Sequence, residues 1–160
     1  MSSQSVVDFL KVHAPDVAVI ETSVSTATVD EAAAVHQVSP GQIAKTLSFW
    51  VGDEVVLVVL AGDRKVDNRK FRNLFKVKAK MLSPQEVIEW TSHPVGGVCP
   101  MGLPNALQVD GDQSLQRFEI VMPAAGSLYT AIRIEPERLI SIANGTWVDV
   151  AQEATAYSEL

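Results

Sequence analysis

From Gln42 to Val51, "QIAKTLSFWV", the apolar residues Ile43, Leu47, Phe49 and Val51 alternate with smaller or more polar ones. This is the period-two pattern of a strand with one apolar face. Lys45 shares the parity of those apolar residues, so it is expected to point where they point. A lysine ammonium turned inward carries a large desolvation cost unless it meets a partner or a cavity. The turn "VGDE" (51–54) leads into "VVLVVLAG" (55–62), a continuous apolar run that predicts a strand buried on both faces. Together the two strands predict a hairpin near the centre of a sheet.

Around this hairpin the spacing predicts further elements. Val6, Phe9 and Leu10 give a short amphipathic helix over 5–13, and "VAVIE" (17–21) reads as a strand. Thr28 and Glu31 form a capping box that opens a helix from Val29 to about Gln37, ended by "SPG" (39–41). Asp67 is placed to cap a basic helix running to about Phe75, with Phe71, Leu74 and Phe75 as its apolar stripe. "VKAKML" (77–82) alternates as a strand with lysines outward. Ser83, Pro84 and Glu86 supply an N-cap, a first-turn proline and a capping-box acid for a helix ending near Trp90. "HPVGGVCPMGLPN" (93–105) has no periodicity and reads as a long Gly/Pro loop. "ALQVD" (106–110), "RFEIVMP" (117–123) and "LYTAIRI" (128–134) predict three more strands. A final helix over 135–143 stops at Asn144-Gly145, and the last ten residues are expected to fray. Hairpins mixed with crossovers predict an α/β fold whose mixed, largely antiparallel sheet is flanked by helices. With 160 residues and neither repeat nor linker, a single domain over 1–160 is expected.

Composition narrows the function. No apolar run approaches the roughly 20 residues of a membrane span, and the N-terminal "MSSQSVVDFLKVHAPD" lacks the basic and apolar regions of a secretory signal. Cys99 is the single cysteine, which excludes an internal disulfide and a cysteine-based zinc cluster. A cytoplasmic protein is expected. The net charge is −6, yet eight of the 13 basic residues lie between Arg64 and Lys80, opposed there only by Asp67. That window is either a solvated face or an electrostatic footprint for a phosphate backbone.

Several common sites are absent. There is no P-loop, no GxGxxG after a strand and no GxSxG elbow. His13, His36 and His93 have no ligand spacing, so neither a metal nor a cofactor is expected, and histidines at helix ends or before a proline read as surface residues. Cys99 has no evident histidine partner and reads as a small buried residue. What remains is a constellation: the inward Lys45, "AGDRKVD" (61–67) after the next strand, "GGVCPMG" (96–102) and "PAAGS" (123–127). The two glycine turns expose backbone N–H groups, the raw material of an oxyanion or carbonyl nest. Each alone has a plain structural reading as a turn, a helix cap or a snorkelling lysine.

"QIAKTLSF", "LAGDRKVD", "GGVCPMG" and "AAGS" occur in the order and approximate spacing of the YbaK/prolyl-tRNA synthetase-associated family. The chain resembles this aminoacyl-tRNA editing family over about residues 26–150. The resemblance implies hydrolysis, in trans, of the ester joining a wrong amino acid to tRNA, most often tRNA for proline. It implies that Lys45 is essential at the substrate end, and that the Gly96–Pro100 loop holds the aminoacyl carbonyl on its backbone amides. Gly96, Gly97 and Pro100 thereby join Lys45 as catalytic candidates. It implies substrate contacts from Thr46, from Gly62, Asp63 and Arg64, from Val98 and Cys99, and from Ala125, Gly126 and Ser127. The basic window becomes an acceptor-stem contact, with Lys65, Arg69, Lys70 and Arg72 as tRNA-binding candidates. Cysteine-type members carry a serine and an aspartate where this chain has Ala124 and Ala131, which leaves the amino acid open among alanine, serine and cysteine.

Three functions follow. The first is a deacylase acting on mischarged tRNA, with a synthetase as a further partner. The second is a non-catalytic module that docks aminoacyl-tRNA or a synthetase. The third is a hydrolase of another small ester. An activated ester needs little more than a positioned carbonyl and a nucleophile, so a site without triad or metal fits the first. In that reading Lys45 is a positioning charge, since an ester gives Schiff-base chemistry nothing to do.

Overall fold

The computed structural model describes residues 2–153. Its centre is the hairpin of β2 (Ile43–Val51) and β3 (Glu54–Ala61), paired antiparallel from Ala44 opposite Ala61 to Val51 opposite Glu54. Every residue from Val55 to Ala61 is buried, because both faces of β3 are covered. Val55, Leu57, Val59 and Ala61 point into the larger core with Val6, Leu10, Val87, Leu139 and Ile140. Val56, Val58 and Leu60 point into a second core with Phe49 and Phe71. The rings of Phe49 and Phe71 lie 4.8 Å apart.

The helices α1 (Ser2–His13), α2 (Val29–His36), α3 (Asn68–Phe75), α4 (Pro84–Thr91) and α5 (Pro136–Ile142) flank the sheet. Their starts follow the sequence closely. Thr28 and Glu31 close a capping box on α2, Ser83 and Glu86 do so on α4, and the Asp67 side chain accepts from Lys70 N–H to cap α3. Each satisfies backbone donors that a helix N-terminus leaves open.

The sheet is mixed, in the order β5-β2-β3-β4-β7, where β4 is Gln108–Asp112, β5 Met122–Pro123 and β7 Thr146–Val148. Its antiparallel part is the central hairpin, while β2–β5, β3–β4 and β4–β7 run parallel. A separate two-stranded antiparallel ribbon joins β1 (Ile20–Glu21) to β6 (Thr130–Ala131).

Some expected strands shrink. Residues 117–123 keep only β5, because the Asp112 side chain accepts from Ser114 N–H and starts a 3-10 turn over Gln113–Arg117. Residues 77–82 form no strand of their own. They touch β2 through one bridge, Phe49 to Met81, and bonds from Trp50 N–H to Lys80 O and Leu82 N–H to Ser48 O. The expected fraying of 151–160 lies mostly outside the described residues, but Ala151 bridges Val66 and Gln152 N–H donates to Lys65 O at 2.7 Å.

Asp112 holds this C-terminal stretch. It is buried, and its Oδ1 accepts from the N–H groups of Val150 (2.8 Å) and Ala151 (3.0 Å) while Oδ2 takes Ser114 N–H at 2.9 Å. Bonds to a charged acceptor contribute about 1.5–3 kcal/mol each, and a buried donor left open adds its own penalty. Asp112→Ala is therefore expected to lower the unfolding free energy by about 3 kcal/mol or more in urea titration. A change below about 1 kcal/mol would show these ties to be dispensable.

Candidate functional site

The outer edge of β2 is covered at both ends and open between them. β5 pairs only with Ile43 and Ala44. Pro123 brings no N–H to extend the ladder, and the chain then turns into a tight hairpin in which Ala124 bridges Ala131. At the other end the 80–82 segment bonds to Ser48 and Trp50 before Ser83 starts α4. Backbone direction alternates along a strand, so the N–H and C=O of Thr46 face the same edge as those of Ser48 and Trp50. They open into a cavity of about 400 Å³.

Each wall has a local reason. Lys45 and Thr46 form the floor with Ile43, Ala44, Leu47 and Ser48. Val29, Ala32 and His36 of α2 close one side, and Leu82, Pro84 and Val87 the other. Gly96 and Val98 line it from the loop after α4, and Ala124, Thr130 and Ala131 from the β5–β6 turn. Gly96 sits at φ +88°, and a Cβ there would lie 2.7 Å from Ala27 O. A Cβ on Gly97 would lie 2.7 Å from the Ser127 carbonyl carbon. Only glycines let this loop wedge between the two neighbouring turns.

Lys45 stands on the same face as Ile43, with Leu60 as its cross-strand partner. Burial pushes its pKa down, Asp63 pulls it back up, and Lys65 pushes it down further. Asp63 does not pair with it. Both oxygens of that carboxylate take Arg117, at 2.7 and 3.2 Å, and Arg64 Nε lies 3.9 Å away. Lys45 is thus a half-buried amine with a carboxylate in range and no ion pair among the described residues.

The 93–102 loop is organised by His93, which is fully buried and so corrects the surface reading of that residue. Its Nδ1 accepts the Cys99 N–H at 3.1 Å, and Gly97 N–H donates to Pro94 O at 2.9 Å. Those two amides are spent on the loop itself. The N–H groups of Gly96 and Val98 have no partner among the described residues, and both residues line the cavity. Cys99 is sealed from solvent, and burial pushes its thiol up to about 12, so its role is packing.

The remaining candidates divide. Thr46 lines the cavity, and its Oγ1 is buried without a hydrogen bond among the described residues. Gly62, Asp63 and Arg64 do not line it. Gly62 packs against Pro40 O, and Asp63 and Arg64 form the ion cluster behind Lys45. Pro100 is buried. Ala125, Gly126 and Ser127 shape the turn whose neighbours Ala124 and Thr130 reach the cavity, and Ser127 Oγ lies 2.7 Å from Thr130 Oγ1. Lys65, Arg69 and Arg72 are exposed and free of ion pairs among the described residues. Lys70 is not: its Nζ takes Asp149 Oδ1 at 2.9 Å and Ala151 O at 3.0 Å, so it ties the C-terminal stretch down.

Sequence reasoning missed His36, read as a surface residue. It lines the cavity, and its Nε2 is buried without a partner among the described residues. Val29, Ala32, Ala33 and His36 follow the i, i+3, i+4, i+7 spacing of one helix face, and that periodicity already placed the histidine inward.

The sequence profile of the aminoacyl-tRNA editing domain matches residues 23–142. The chain belongs to this editing-domain family. It is 48% identical over 137 residues to the uncharacterized protein YwhH of Bacillus subtilis (strain 168), covering 84% of this chain and 87% of that one. It is 30% identical over 117 residues to the proline–tRNA ligase of Geobacillus sp. (strain WCH70), covering 72% of this chain and 21% of the ligase. A crystal structure of a candidate trans-editing enzyme for prolyl-tRNA synthetase superposes with a TM-score of 0.89 at 27% identity, covering 95% of this chain and 98% of that one. The YbaK-like resemblance read from four short segments therefore holds, and with it the fold. This editing domain is related to those of prolyl-tRNA synthetases.

Burial pushes His93 down to about 4, and an Nδ1 that accepts Cys99 N–H must be unprotonated. With a depressed folded pKa, the unfolded chain takes up the proton first, below about 6.5. Stability from this group is complete above that pH and is lost as pH falls toward 4, about 3 kcal/mol in all. Chemical unfolding measured between pH 7 and 4 is expected to show this loss. His93→Asn, which keeps an acceptor near Nδ1, is expected to flatten the profile relative to wild type, and an unchanged profile would remove His93 as its source.

Proposed function

We propose that this chain is a trans-acting aminoacyl-tRNA deacylase working in the cytoplasm. Its substrate is a small amino acid of the alanine, serine or cysteine class mischarged on tRNA, with tRNA for proline first in line and a synthetase as the source. The observation that carries this reading is the shared cavity of Lys45 and the free amides of Gly96 and Val98. An amine without an ion pair among the described residues and two residues with unspent N–H donors line one cavity beside a bare strand edge, and an acyl ester offers what they lack.

In this reading the ester carbonyl accepts from Gly96 and Val98 N–H. Water, oriented by the 2′-hydroxyl of the terminal ribose, adds to the carbonyl carbon. The charge that develops on the carbonyl oxygen is stabilised by those donors, typically about 3 kcal/mol each. The tetrahedral intermediate collapses by breaking the bond to the 3′-oxygen, which takes the proton given up by the water. Free amino acid and uncharged tRNA result. Lys45 positions the terminal phosphate or ribose by charge, while Asp63, held by Arg117, favours the charged form of the amine. Lys65, Arg69 and Arg72 lie in sequence just past β3 and suit a salt-sensitive contact with the acceptor stem. Lys70, spent on Asp149, contributes less.

Lys45→Ala is expected to lower deacylation of mischarged tRNA by about 100-fold or more, with an unchanged circular dichroism spectrum and melting temperature. Retained turnover would remove Lys45 from the mechanism. Wild-type protein that binds mischarged tRNA without releasing amino acid would favour the non-catalytic docking module instead.

A further inference from the structure

We infer that His36 is a specificity residue that reads a hydroxyl on the side chain of the esterified amino acid, so that seryl esters are favoured over alanyl ones. This inference rests on the deacylase reading of the same cavity and narrows its substrate class. His36 stands at the C-terminal end of α2, in the wall formed by Val29, Ala32, Ile43, Met122 and Ala131. That wall is otherwise apolar. In its midst Nε2 of His36 is buried and makes no hydrogen bond among the described residues, and buried polar atoms are rarely left so. Thr46 Oγ1 is the second such atom, in the floor of the same cavity.

The imidazole is kept neutral. Burial lowers its pKa, and the neighbouring Arg133 guanidinium lowers it further. A neutral imidazole offers one donor and one acceptor nitrogen. A hydroxyl satisfies Nε2 in either tautomer, since it both donates and accepts. A methyl group cannot satisfy it, and a thiol does so only weakly. A site with a polar atom waiting for a substrate hydroxyl rejects the analogue that lacks it, because the buried atom is then left unpaired.

The test compares seryl- and alanyl-esters of one tRNA body, tRNA for proline, and in parallel the binding of 3′-seryl- and 3′-alanyl-amido-3′-deoxyadenosine by calorimetry. Wild type is expected to favour the seryl form about tenfold or more in both kcat/KM and affinity. His36→Leu is expected to cut that ratio about tenfold, and His36→Gln, which restores a polar group, to recover most of it. A ratio unmoved by His36→Leu overturns the inference and shows a buried nitrogen that substrate does not reach, whatever the overall activity. No turnover of either ester, with a seryl preference in analogue binding that depends on His36, defeats the deacylase reading and leaves this inference standing. Equal binding of the two analogues, or binding of neither, overturns it.

Discussion

The bare stretch of β2's outer edge governs the rest of the site. A strand edge inside a protein is normally paired or covered, because unpaired backbone polar groups cost free energy when removed from water. Here β5 stops at Pro123 and the 80–82 segment arrives only at Ser48, so the backbone of Thr46 faces a cavity. Every other feature of the site is arranged around that opening. α2 and α4 flank it, and the Gly96–Val98 loop arches across it. The two glycines are required because the loop passes between Ala27 and Ser127 with no space for a side chain.

The electrostatics follow from the same opening. Lys45 leaves the strand next to the gap, where burial disfavours its charge and Asp63 supports it. The carboxylate is engaged by Arg117 in a two-pronged bond, a geometry suited to the guanidinium fork. Asp63 therefore acts at a distance and forms no ion pair with the amine. The fully buried His93 performs the matching task in the loop: it takes the Cys99 amide, so the donors left over at Gly96 and Val98 are those beside the cavity.

Much of this was legible in the sequence where a local rule decides the outcome. The capping pairs Thr28–Glu31 and Ser83–Glu86, the Asp67 cap and the apolar run 55–61 fixed elements that the fold contains. The parity of Lys45 gave its face. What was not legible depends on partners far along the chain. Residues 117–123 alternate like a strand, yet Asp112 diverts their start into a 3-10 turn. Lys70 reads like its basic neighbours until Asp149 is brought to 2.9 Å. His36 is the instructive miss: residue type suggested surface, whereas its place in the stripe with Val29 and Ala32 put it in the cavity wall.

The central claim is that the opening in β2 receives the acyl-ribose end of a charged tRNA. A crystal structure with 3′-alanyl-amido-3′-deoxyadenosine, whose amide replaces the labile ester, tests it most directly. The account predicts the acyl carbonyl within hydrogen-bond distance of Gly96 or Val98 N–H, the amino-acid side chain against the α2 wall, and Lys45 Nζ beside the ribose or its phosphate position. An analogue seated elsewhere, such as the groove of Asp16, Arg133 and Arg138, with the β2 opening unfilled, would contradict it.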